Sequence, residues 1–196
     1  MSENRALFFF DYVDLASWAV ELWLTELLPL NGVAVDRHAY EVRPPPRPLV
    51  DPADAEWNAS RERARPAIEA AGMRLAAPVL VPWTRKAHEL ALHASEKGRF
   101  ATVHSALFEA FHSDGSDIGR VDVLVALAVS AGLDPTESKA VLDVDRLAGE
   151  VDRARQEAER LGVDGVPTIL AGQVRLERPR GIDELRTFLT SLRGAD

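Results

Sequence analysis

Apolar and polar positions follow two different periods along this chain, and the places where the period changes outline its elements. Ala6 to Phe10 form an unbroken apolar run that Asp11 ends, the pattern of a strand covered on both faces. From Leu15 to Leu28 apolar residues recur at helical spacing, and Pro29 with Asn31-Gly32 marks the expected stop. Val33 to Val42 then alternates apolar and polar residues, predicting a second strand. The strand gives out at Arg43-Pro44-Pro45-Pro46-Arg47-Pro48, a cluster that sustains neither helix nor central strand and reads as an extended exit into further material.

From Pro52 to Leu142 the pattern is helical throughout, with stops at Gly72, Gly98, Asp114-Gly115 and Gly132 and apolar positions such as Val103, Leu107, Ala110 and Phe111 at helical spacing. A helix from Asp145 to Leu161, closed by Gly162, leads into Val166-Pro167. Short strands follow at Thr168 to Leu170 and Val174 to Glu177, and a last helix runs from about Ile182 to Leu192. The charge-rich face of the Asp145 helix reads as solvated, with pairs such as Glu150 and Arg153. Asp114-Gly115-Ser116-Asp117 lacks the spacing and terminal Glu of a calcium loop and reads as a turn between helices.

Composition narrows what these elements can do. With 196 residues, 46% hydrophobic and 28% charged, the chain has ample core for a globular fold. A net charge of −8 and interleaved basic residues argue against nucleic acid as a partner. No apolar stretch is long enough for a membrane span, and Met1 to Arg5 precede too few apolar residues for a signal peptide, so a cytoplasmic location is expected. The chain has no cysteine, which excludes disulfides, thiolate metal sites and any thiol supplied by the protein. The five histidines, His38, His88, His93, His104 and His112, lack metal-ligand spacing, so no metal site is expected.

Two segments carry candidate chemistry. Val166-Pro167-Thr168, behind Gly162-Val163-Asp164-Gly165, has the pattern of a cis X-Pro turn opening a strand. Asp14-Leu15-Ala16-Ser17 stands where a strand turns into a helix, at a helix N-terminus whose free N–H groups and dipole favour an anion. Asp14 is a strong N-cap residue, and the dipole is expected to keep it ionised as a fixed acceptor or base. Ser17 reads as a satisfied helix hydroxyl, since no Gly-X-Ser-X-Gly elbow or neighbouring base accompanies it. Trp18 beside the turn and Trp83 after Pro82 are candidates to line an apolar pocket.

These stretches resemble the DsbA-like family, and within it the FrnE-like dithiol oxidoreductases, with 2-hydroxychromene-2-carboxylate isomerases and kappa-class glutathione transferases as cousins. The resemblance spans nearly the whole chain and rests on Phe8 to Ser17, Thr84-Arg85-Lys86-Ala87-His88, Ala106-Leu107-Phe108 with Asp117-Ile118, and Gly162 to Thr168. It implies an α/β thioredoxin fold, residues 1–50 and 145–196, interrupted by an all-helical domain at 51–144. It also implies that Asp14 and Ser17 occupy the two cysteine positions of Cys-X-X-Cys and face Pro167 across a groove beneath the helices.

Disulfide exchange proceeds through a mixed disulfide, which neither Asp14 nor Ser17 can form. The first expectation is therefore a non-redox homologue, binding a peptide or small molecule with Trp18, Val166 and Pro167 and requiring no cofactor. The alternative is a glutathione-dependent isomerase or transferase, in which glutathione supplies the sulfur and Ser17, Val166 and Asp183 are contacts. There Gly181-Ile182-Asp183 resembles a ligand-binding helix opening, while a carboxylate at Asp14 would repel the bound thiolate. Dimerisation of relatives implies a homodimer by analogy.

Overall fold

A computed structural model describes residues 5–192; the ends of the expected domain, 1–4 and 193–196, lie outside the described residues. The chain runs β1 (Arg5–Phe10), α1 (Leu15–Asn31), β2 (Ala34–Ala39), α2 (Ala55–Ala70), α3 (Arg85–Glu96), α4 (Phe100–His112), α5 (Val121–Ser130), α6 (Pro135–Asp143), α7 (Ala148–Arg160), β3 (Thr168–Ala171), β4 (Val174–Glu177) and α8 (Ile182–Ser191). The four strands form one sheet in the order β2-β1-β3-β4. β1 and β2 are parallel, joined by α1, whereas β3 runs antiparallel to both β1 and β4. Among the described residues no helix is long and apolar enough to cross a membrane.

β1 is apolar throughout because both of its faces are covered. Ala6, Phe8 and Phe10 point to one side, into a core shared with α1, α8 and the helices α3, α4 and α5. Leu7 and Phe9 point to the other, where Tyr40, Ala158 of α7, Val163, Val166 and Leu170 form a smaller cluster. The period of two along β1 therefore serves two cores.

Two of the boundaries that differ from the sequence pattern do so for a local reason. α1 continues through Pro29 to Asn31, since a proline in the last turn removes only one late N–H donor. Gly32 then ends it in the left-handed region at φ 64°, its N–H bonding the Leu28 carbonyl. β2 stops at Ala39, short of Val42, because β1 ends at Phe10. Tyr40 N–H still reaches the Phe10 carbonyl at 2.9 Å, but the next ladder position is taken over by a side chain, the Asp11 carboxylate, which accepts the Val42 N–H at 2.7 Å.

Candidate functional site

The register of the sheet brings the two candidate turns to one end of the molecule. Phe9 pairs with Thr168 across the antiparallel β1–β3 ladder, so the chain leaving β1 at Asp11 and the chain entering β3 at Pro167 stand at the same sheet end. The Val166–Pro167 peptide bond is cis. Around it, Thr168 Oγ1 donates to the Gly165 carbonyl at 2.8 Å, and Arg178 N–H donates to the Pro167 carbonyl at 2.8 Å. The Arg178 side chain lies against Gly165 so closely that a Cβ there would sit 2.3 Å from the guanidinium. A larger residue at 165 would displace the exposed Arg178 guanidinium.

The turn after β1 is tied by its own side chains. Asp14 caps α1, one carboxylate oxygen accepting both the Ser17 N–H at 2.7 Å and the Ser17 hydroxyl at 2.6 Å. Asp14 N–H donates to the Asp11 carbonyl at 3.2 Å, and Asp11 N–H approaches Ser17 Oγ at 3.4 Å. Ser17 is fully buried, so its hydroxyl is engaged on both sides and closed to solvent. Asp14 is half-buried.

Asp14 is the N-cap that its residue type leads one to expect, but its carboxyl gives up its proton less readily than an exposed aspartate does. Burial raises its carboxyl to about 6 despite the hydrogen bonds from Ser17, and the nearby Asp11 charge adds to the rise. Desolvation outweighs the helix N-terminus. Asp14 can thus hold or release a proton close to neutral pH, the property of an acid–base group.

Behind the turn lies a layer of buried histidines that spacing alone did not assign. His88 Nε2 on α3 meets Asp11 Oδ1 at 3.2 Å, and both residues are buried. His104 on α4 meets the Tyr12 hydroxyl through Nδ1 at 2.9 Å. Burial lowers the proton affinity of His104, so the neutral ring accepts from the Tyr12 O–H and turns its Nε2 towards Glu21. That approach, 3.4 Å to Oε2, is a polar contact without hydrogen-bond alignment. Arg37 completes the row, its Nη2 2.6 Å from Glu21. Burial alone would raise the Glu21 carboxyl, but the close approach of His104 and the bonds from Arg37 bring it below its ordinary value.

His112, four residues past Phe108, accepts from Arg61 Nη1 at 3.0 Å, and burial drives its proton affinity well down. His104 and His112 therefore serve separate partners. Among the described residues no group of three or more His, Cys, Asp or Glu side chains is placed to hold a metal ion.

The other expected residues fall in different places. Trp18 is 2% exposed, stacked on His112 at 5.5 Å and on Phe108 at 6.4 Å, so it supports the turn from within the core. Val166 is buried beside Phe9, Tyr40 and Leu170. Asp183 is exposed in the first turn of α8, where it pairs with Arg186. A cavity of about 360 Å³ opens away from both turns, lined by Pro45, Leu49, Leu80, Pro82, Trp83 and Arg85 among others. Trp83 is held there by its indole N–H, which donates to the Arg47 carbonyl at 3.0 Å. Beside it Arg85 bridges the fully buried Glu41 at 2.8 Å and Asp152 at 2.6 Å.

Similarity to known proteins agrees with this architecture. The DSBA-like thioredoxin domain matches residues 7–193. The fold is similar to that of a probable DsbA oxidoreductase from Streptomyces coelicolor, with a TM-score of 0.77 and 24% identity over 98% of this chain and 91% of that one. A 2-hydroxychromene-2-carboxylate isomerase gives a TM-score of 0.77 at 17% identity, covering 96% and 94% of the two chains. The cytosolic disulfide reductase DsbM from Pseudomonas aeruginosa, in its structure with GSH, gives 0.71 at 18% identity, covering 96% and 99%. With the two turns, the mixed four-stranded sheet and a match across nearly its full length, the chain belongs to the DSBA-like thioredoxin domain family, as a cysteine-free member.

Proposed function

We propose that this protein is a non-redox homologue that binds a peptide or small molecule across the Asp14 and Pro167 turns and offers a carboxyl group in place of sulfur. The observation that carries the reading is Asp14 itself: a half-buried carboxyl at a helix N-terminus, oriented by Ser17 and titrating near neutrality. Its role is to donate or accept a proton at a bound ligand. Ser17 orients Asp14, and Val166, held by the Pro167 turn, offers its backbone edge to an extended ligand.

A glutathione-dependent isomerase or transferase is the second reading, and the raised Asp14 carboxyl favours it over what an ordinary carboxylate would allow. When protonated, Asp14 is a hydrogen-bond donor to a thiolate instead of a like charge. The similarity to a disulfide reductase solved with GSH and to an isomerase points the same way. Calorimetry with reduced glutathione separates the two. Saturable heat in the micromolar to millimolar range, lost in Asp14→Ala, supports the glutathione enzyme, and no heat supports the binding homologue.

A further inference from the structure

Asp11 and His88 are a buried polar pair that the proposed chemistry does not use directly. Asp11 touches every part of the turn that presents Asp14. Its carbonyl accepts the Asp14 N–H, its N–H approaches Ser17 Oγ, and its Oδ2 accepts the Val42 N–H from the chain leaving β2. One carboxylate oxygen remains, Oδ1, and the group that meets it is His88 Nε2 at 3.2 Å. A carboxylate taken wholly out of water needs such donors, because an unpaired buried charge costs several kcal/mol.

We infer that His88 is a positioning residue for Asp14: it holds the Asp11 carboxylate in place, and Asp11 transmits this to Asp14 by its hydrogen bonds to the turn and by its charge. The inference rests on the reading of Asp14 as the acid–base group. Other polar groups face the pair without replacing it. Tyr12 from the turn lies with its ring 4.9 Å from that of His88, and His104 from α4 packs against Tyr12 with ring centroids 5.4 Å apart. Tyr12 gives its hydroxyl to His104, leaving His88 as the side chain that reaches Asp11. His88 is itself fixed by the Phe10 ring at 5.4 Å and by its place one turn into α3, where its N–H bonds the Thr84 carbonyl at 2.9 Å.

The test follows the Asp14 carboxyl by 13C NMR across pH in the wild type, Asp11→Asn, His88→Leu, His88→Gln and the double variant Asp11→Asn/His88→Leu. Asp11→Asn keeps the shape of the turn but removes the charge, so the Asp14 midpoint should fall by roughly half a unit to one unit. His88→Leu should move it the same way, by freeing the Asp11 carboxylate to turn away from Asp14, whereas His88→Gln, which keeps an N–H donor, should restore most of the wild-type value. In the Asp11→Asn background His88→Leu should add no further shift. A midpoint near 6 that stays unchanged in Asp11→Asn and His88→Leu, or equal shifts for Leu and Gln at position 88, would overturn the inference while leaving the role of Asp14 standing. A wild-type midpoint near the ordinary value would instead remove the reading beneath it. If His88→Leu does not fold, His88→Ala takes its place, with the same shift expected and an unchanged midpoint overturning the inference.

Discussion

At the scale of single residues, the identity of the turn residues was legible and their electrical state was not. Asp14 as a helix cap accepting from the N–H three residues on follows from local sequence. Its proton affinity depends on how far the fold removes it from water, which no local pattern states. The raised carboxyl has a consequence for stability. The folded state binds a proton more tightly than the unfolded chain between about pH 4 and pH 6. Stability contributed by this group is therefore fully present below pH 4 and is lost as pH rises through 6, by roughly 2 to 3 kcal/mol. Glu21, with its carboxyl lowered, acts in the opposite sense, so the informative quantity is a difference. The stability of Asp14→Asn relative to wild type should grow from pH 4 to pH 7 in urea unfolding. A pH-independent difference would mean that Asp14 titrates normally.

At the scale of elements, the strand–turn–helix unit and the Pro167 turn were readable because their signals are local: an apolar run, a capping residue, a glycine before X-Pro. β4 matches its expected Val174–Glu177 span, while α1 ends later, β2 is shorter at both ends and α7 begins later than the pattern suggests. No local pattern could show that α3 supplies His88 to Asp11, 77 positions away, although an acidic residue ending one strand and a histidine early in a helix were both visible. The geometry of α1 makes a direct prediction about redox capacity. The half-buried Asp14 site and the buried Ser17 site differ in access as an attacking and a shielded thiol should. Asp14→Cys/Ser17→Cys should reduce insulin in the presence of a dithiol, and the wild type should show only background. A folded but inert double variant would place the two residues away from the redox positions.

For the whole molecule, the order of elements foretold strand, helix, strand, helices, helix, two strands and helix, and that order is observed. Less visible was how the parts share a core. Phe8 and Phe10 of β1, Trp18 and Leu24 of α1, Leu90 of α3, Phe108 of α4, Leu124 of α5 and Leu185 of α8 belong to one continuous apolar cluster. Helical periodicity shows which face of a helix is apolar but not which neighbour receives it. Because the sheet and the helices between β2 and β3 bury surface against each other, urea unfolding should be a single transition, with tryptophan fluorescence and far-UV circular dichroism coinciding. Two separated transitions would show that the sheet and those helices fold independently.

Asp14 at the head of α1 carries a carboxyl that burial raises to about 6. Its most direct measurement is the 13C NMR titration of Asp14 in the unmodified protein, assigned with Asp14→Asn. A midpoint near 6 is the expected result; a midpoint near 4, the ordinary value of an exposed aspartate, would contradict it.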